Sequence, residues 1–184
     1  TIWFGQLISR IGTSMTRFAL LIWAYEQTGS ATSVALLGFA AFLPMILISP
    51  FAGVWIDRID RRKVLIFSDL GAGLMTIALL LLAATNQLQL WHLYLAEAMA
   101  GAFEAFQIPA YTAVMSTLLP AEQYGRANGL RSMADFGSQI IAPALGGLCL
   151  TWIGLSGVMI VDVLTFLVAI GTLLVVRIPL VAEA

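Results

Sequence analysis

Asp57-Arg58-Ile59-Asp60-Arg61-Arg62-Lys63 is the most strongly charged stretch of the chain, and it separates two apolar runs, Ser33–Ile56 and Val64–Ala84. A helix of about 20 residues crosses a hydrocarbon core of ~30 Å, so each run is long enough to span a bilayer. Four further runs of similar length follow from the same reading: Ile2–Tyr25, Trp91–Val114, Ala127–Leu150 and Leu155–Val176. Polar or turn-forming residues separate them, at Gln27-Thr28-Gly29-Ser30, Thr85-Asn86-Gln87, Pro120-Ala121-Glu122-Gln123-Tyr124-Gly125 and Gly154. The runs do not alternate every second residue, as strands of a membrane barrel would. The expected fold is therefore an all-α membrane protein of six transmembrane helices.

Composition agrees. Apolar residues make up 60% and charged residues 10% of the 184 positions, with a mean hydropathy of +0.95. Soluble domains usually carry about 25% charged residues, so lipid must be the solvent for most of this surface. A net charge of -1 argues against nucleic acid as a partner. Cys149 is the sole cysteine and excludes an internal disulfide; it reads as a small packing residue. The chain starts with Thr1, which suggests a fragment of a longer protein.

Basic residues set the expected orientation, because cytoplasmic loops retain them. Arg58, Arg61, Arg62 and Lys63 fill the second connection, Arg126 lies in the fourth, and Arg177 follows the sixth run. The first, third and fifth connections contain neither Lys nor Arg. Both termini are expected in the cytoplasm, with residues 1–177 forming the bundle and 178–184 starting a cytoplasmic linker.

The segment Gly53-Val54-Trp55-Ile56-Asp57-Arg58-Ile59-Asp60-Arg61-Arg62-Lys63 resembles the G-x-x-x-D-R/K-x-G-R/K-R/K signature of the major facilitator superfamily. Gly53, Asp57, Arg58, Arg61 and Arg62 match, and Asp60 replaces the usual second glycine. Ala142-Pro143-Ala144-Leu145-Gly146-Gly147 resembles the G-P-x-x-G-G element of the antiporter members, with Ala142 replacing the first glycine. Gln6-Leu7-Ile8-Ser9-Arg10-Ile11-Gly12, Thr28-Gly29-Ser30-Ala31-Thr32, Phe67-Ser68-Asp69-Leu70, Ile108-Pro109-Ala110 and Ala127-Asn128-Gly129 resemble one branch of that family. It contains siderophore exporters of the enterobactin type and macrolide efflux proteins. The resemblance implies the N-terminal half of a transporter built on a three-plus-three inverted repeat. It further implies a missing C-terminal six-helix half and a cytoplasmic (plasma) membrane location. The implied activity is proton-coupled export of a small molecule by alternating access.

In this reading Gly53 permits close helix approach and Asp57 accepts hydrogen bonds from a neighbouring helix N-terminus. The basic cluster would then hold the cytoplasmic side shut. The same residues would equally serve as a topology determinant and lipid-headgroup anchor. Pro143 frees a carbonyl, and Gly146 and Gly147 allow tight packing or a hinge. Glu97 stands four residues before Gly101, where the family often has an arginine, which departs from the usual arginine-centred proton coupling.

Ionisable groups inside spans cost several kcal/mol unless paired or wetted, so each is a functional candidate. Arg10 and Arg17 lie seven residues apart on one helical face, as do Glu97 and Glu104. At 1.5 Å per residue, Arg10 lies ~12 Å and Arg17 ~23 Å from the inner edge, against ~10 Å for Glu104 and ~20 Å for Glu97. Matched heights predict two rungs, Arg10 with Glu104 and Arg17 with Glu97, beside a substrate and proton path. A purely structural pairing fits the same spacing. Asp135 has Arg131 four residues earlier, which favours a local helix pair. Asp162 has no basic neighbour within its own run and is a protonatable or polar-cavity candidate. Asp69 is expected to support the Asp57 cluster. His92, beside Trp91 and Tyr94, reads as part of an interfacial aromatic belt rather than a metal ligand.

No zinc spacing, phosphate loop or nucleophile–base set appears, so neither a cofactor, a metal nor enzymatic catalysis is expected. The leading expectation is a secondary exporter of a drug-, macrolide- or siderophore-like molecule. A facilitator or importer of the same fold, or a six-span oligomeric channel or assembly subunit, fits the residues less closely.

Overall fold

The computed structural model describes residues 2–56, 59–118 and 120–175. Five α-helices follow one another: α1 (Ile2–Thr28), α2 (Ala31–Ile56), α3 (Arg61–Ala84), α4 (Leu90–Leu118) and α5 (Tyr124–Val175). A short 3₁₀ turn, Ala121–Gln123, precedes α5. The first four contain 27, 26, 24 and 29 residues, about 36–44 Å at 1.5 Å per residue. Among the described residues, α2, Lys63–Ala84 and Tyr124–Thr172 are long and apolar enough to cross a membrane on composition alone. The helices α1 and α4 have the length, but they carry the charged faces described below. The expected linker 178–184, Arg177, Asp57 and Arg58 lie outside the described residues.

The connections show why the helices stop where they do. Gly29 takes φ 60° after α1, and its N–H donates to the Tyr25 carbonyl at 2.8 Å, closing the helix with a left-handed residue. Asn86 takes φ 55° between α3 and α4, a conformation Asn tolerates better than most residues. Asp60 precedes α3, and its carbonyl accepts from Val64 N–H at 3.1 Å. That is the N-cap position, where Asp is favoured, so an aspartate in place of the signature's glycine suits the start of this helix. Before α4, Gln89 N–H donates to Nδ1 of His92 at 3.0 Å. The imidazole therefore caps a helix start, with the Trp91 ring 3.9 Å away.

The break expected at Gly154 lies inside the 52 residues of α5, where two helical stretches meet at a kink. Its continuity is interrupted at Gly154, whose φ 68° and ψ -179° are non-helical. Contacts with α1 show what the interruption does. Before it, Arg10 pairs with Asp135, and Met15 and Phe18 lie against Gly146 and Gly147, so the two chains run parallel. After it, Gly5 and Gly12 lie against Thr172 and Thr165, so the direction is reversed. Residues 5 and 172 thus share one end of the bundle.

Helix α1 packs along α5, α2 packs on α4, and α3 touches both α4 and α5. A side chain at Gly101 would collide with the Ala41 carbonyl oxygen, so the α2–α4 crossing requires glycine there. Apolar clusters close the bundle near both ends. Leu20, Ala24, Leu37, Leu79, Leu93, Ala96 and Met159 form one; Ile56, Leu65, Ala110, Tyr111 and Val114 form the other. Outward faces carry large exposed apolar groups, including Phe39, Ile46, Phe51, Ile140 and Trp152, the surface a lipid-facing protein presents. Gly53 corrects an expectation: it is exposed, and a Cβ there would meet nothing within 4 Å. Its face of α2 points away from the bundle, so it mediates no close approach within this chain.

Candidate functional site

The polar residues of α1 recur at Gln6, Arg10, Thr13 and Arg17, spacings of four, three and four that place them on one stripe. On α4 the stripe is Glu97, Glu104 and Gln107, and on α3 it is Asp69 and Thr76. With Arg131, Asp135 and Asp162 of α5, these groups line one cavity of about 700 Å³. Phe42, Phe103, Phe166, Met45 and Met75 supply apolar wall between them. A mostly apolar cavity with a few convergent polar groups is the usual form of a small-molecule site.

Arg17 is shared. Its Nε lies 3.4 Å from Glu97 Oε2, and its Nη2 lies 3.4 Å from Glu104 Oε2. Glu97 is the more enclosed carboxylate, with its side chain 15% exposed against 40% for Glu104. The expected meeting of Arg17 with Glu97 is therefore present, but the expected Arg10–Glu104 rung is not. Arg10 instead pairs with Asp135, and Asp135 also pairs with Arg131, 3.7 Å away and four residues earlier on the same helix. Equal height in the membrane does not fix angular position, and α5 brings Asp135 beside Arg10 while Glu104 turns to Arg17. Arg131 is further held by the Tyr111 ring, 5.0 Å from its guanidinium carbon, and by a hydrogen bond to Thr112 at 3.2 Å.

Two carboxylates are held by neutral donors. Asp69, expected to support the Asp57 cluster, turns into the cavity: Gln6 of α1 donates to it at 2.8 Å, and Gln107 of α4 donates to its other oxygen. Asp162, 1% exposed, accepts from Thr13 of α1 at 3.0 Å and from Thr76 of α3 at 3.2 Å. The sequence reading missed Gln6, Thr13, Thr76 and Gln107 as partners. Its only clue to the α1 pair was that Gln6 and Thr13 share the helical stripe of Arg10 and Arg17.

The small-residue element lies at the same wall. Pro143 lines the cavity, and a Cβ on Gly146 would come within 3.1 Å of the Met15 carbonyl oxygen. At Gly147 the nearest atom, on Phe18, would be 3.7 Å away, an ordinary contact. Gly146 thus sets the closeness of α1 to α5, and Gly147 does not. Of the signature's basic residues, Arg61 and Arg62 contribute the described backbone at the start of α3.

Comparison with known proteins agrees with this architecture. The sequence pattern of the Major Facilitator Superfamily matches residues 2–183. A macrolide efflux protein A of Streptococcus pyogenes is 32% identical over 179 residues, 97% of this chain and 44% of the relative. The protein of the same name in Enterococcus faecalis is 33% identical over 147 residues, 80% of this chain and 45% of the relative. A multidrug efflux pump, Tap, of Mycolicibacterium fortuitum is 28% identical over 158 residues, 82% of this chain and 38% of the relative. The chain spans less than half the length of these relatives. With a match over nearly every residue, this multi-pass membrane chain belongs to the Major Facilitator Superfamily.

Proposed function

We propose that the chain is the N-terminal six-span half of a proton-coupled exporter of small amphipathic molecules, working by alternating access in the cytoplasmic membrane. The observation that carries this reading is the convergence of eight ionisable side chains on one cavity of about 700 Å³ between spanning helices. Charges at that depth are retained where they face a substrate or ion path. The names of the efflux relatives support export. The reversal at Gly154 supports six crossings, and residues 5 and 172 at one end support termini on one side. The basic residues of the second and fourth connections support a cytoplasmic position for that side.

The Arg17 cluster suits proton exchange. One guanidinium faces two carboxylates at the same distance, so one negative charge is left over, and a proton or a cationic substrate group can neutralise it. Glu104, the more exposed of the two, is the carboxylate accessible to an incoming group, and Glu97 keeps Arg17 charged while Glu104 changes partner. The chain does no covalent chemistry in this reading. The missing C-terminal half supplies the opposite cavity wall and the second side of the gate formed by Asp57, Arg58, Asp60, Arg61 and Arg62.

The test is efflux by the full-length protein in inside-out vesicles, with dyes and macrolides as substrates. Uptake into the vesicles should follow an imposed proton gradient and stop when the gradient is collapsed. Unchanged transport after collapse rejects proton coupling, and absence of transport for every amphipathic substrate rejects export.

A further inference from the structure

Asp162 sits where α1, α3 and the second part of α5 meet, on the wall of the same cavity. Its two oxygens accept separately, Oδ1 from Thr13 and Oδ2 from Thr76. Thr16, one turn along α1 from Thr13, lines the same cavity, and its hydroxyl has no hydrogen-bond partner among the described residues. Thr16 is 4% exposed, so this orphaned hydroxyl is costly unless something occupies it. The α1 backbone also presses on the site, because a Cβ at Gly12 would lie 3.2 Å from Asp162 Oδ1.

Hydroxyls solvate a carboxylate without neutralising it, and a buried uncompensated charge is expensive. Arg17 is the nearby cation, and it already faces Glu97 and Glu104. Together these four groups hold one positive and three negative formal charges. A proton or substrate cation on the Arg17 cluster balances one of the two excess charges, and Asp162 retains the other.

We propose that Asp162, Thr13, Thr16 and Thr76 form a binding site for a sodium ion. Two carboxylate oxygens and two threonine hydroxyls meet from three helices, with the unpartnered Thr16 hydroxyl on the same cavity wall, a hard oxygen donor set that suits a hard cation. One carboxylate matches one positive charge, which selects a monovalent ion, and the close α1 backbone at Gly12 selects a small one. Each hydroxyl keeps lone pairs for the ion while its hydrogen donates to the carboxylate or to a helix carbonyl. Helical threonines can donate to the carbonyl one turn back, and Thr76 already has the Ala72 carbonyl within 3.5 Å. The ion would fill the open valence of Thr16 and tie α1, α3 and α5 together at the cavity wall.

The test reads binding rather than transport, so it can fail separately from the exporter reading. Thermal unfolding of purified full-length protein is followed while sodium chloride replaces potassium or choline chloride at constant ionic strength and pH. Sodium should raise the unfolding midpoint saturably, potassium and choline should not, and Asp162→Asn should lose the rise. Thr16→Val keeps the shape and removes only the orphaned hydroxyl; it should raise the half-effect sodium concentration by about tenfold or more, equivalent to about 1.4 kcal/mol. Should Asp162→Asn fail to fold, the Thr16→Val titration decides alone. Equal shifts with sodium and potassium overturn the proposal. So does a sodium response that persists in Asp162→Asn or is unchanged in Thr16→Val.

Discussion

Reversing the charge at Glu97 tests the Arg17 cluster most directly. At the observed 3.4 Å, two unit charges attract by about 1 kcal/mol in water and about 5 kcal/mol at an effective dielectric of ~20. Arg17 is 37% and Glu97 15% exposed, so solvent screening places the pair between these limits. Glu97→Arg replaces the attraction with a repulsion of similar size, a swing of about 2–10 kcal/mol. Even the lower figure exceeds a tenfold change in an equilibrium, at about 1.4 kcal/mol per factor of ten. Efflux by the full-length protein should therefore fall by more than tenfold, with a lower unfolding midpoint. Adding Arg17→Glu restores an opposite pair, but the new carboxylate now faces Glu104, so the rescue should be partial. Adding Glu104→Gln to the swapped pair should restore the midpoint further. Full efflux in Glu97→Arg alone, or no recovery of either readout in the swapped pair at normal membrane abundance, would show that the contact does not govern the site.

Two further predictions concern the backbone. Gly101→Leu would drive a side chain into the Ala41 carbonyl and should destabilise the α2–α4 crossing by about 1–3 kcal/mol, read as a lower unfolding midpoint, while Gly53→Ala, in open space, should leave that midpoint unchanged. Gly154→Ala imposes a side chain on φ 68°, ψ -179° and should cost about 1–3 kcal/mol, seen as increased proteolysis within the turn it forms.

The helices were legible because long apolar runs and their polar breaks are local properties. Each expected run falls within a helix to within a few residues, and Gly154 was visible as a break because little else separates Leu150 from Leu155. The faces were legible for the same reason: spacing alone groups Arg10 with Arg17 and Glu97 with Glu104. What spacing cannot give is the neighbour across the interface. Heights along two helices match Arg10 to Glu104 equally well whether or not a third helix intervenes, and here α5 presents Asp135 instead. Gly53 has no neighbour within this chain for a related reason. A glycine marks a possible close approach, yet its face of α2 points outside this chain. Neutral partners were the hardest to see, because Gln and Thr carry no penalty that singles them out from other residues of a span.

Charge is distributed unevenly along the cavity, with a balanced level at one end and an excess of carboxylates further in. Towards the end shared by residues 5 and 172, Arg10 and Arg131 face Asp135, and Asp69 lies near Arg10, two positive charges against two negative. Asp69 is further satisfied by two amides from different helices. Nothing at that level requires an added ion, and its hydrogen bonds and ion pairs join α1, α3, α4 and α5. One level deeper, Arg17 faces Glu97 and Glu104, Asp162 lines the same cavity with threonine partners, and the balance is two charges short. Such a deficit in a partly enclosed cavity is costly, and a proton, a bound cation or a basic group from another segment of the full-length protein would each relieve it. A bound positive charge there would act on α1, α3, α4 and α5 together, since each contributes a member of the cluster or a hydrogen-bond partner to it. The deeper level is thus where the proposed proton or sodium ion would bear on several helices at once.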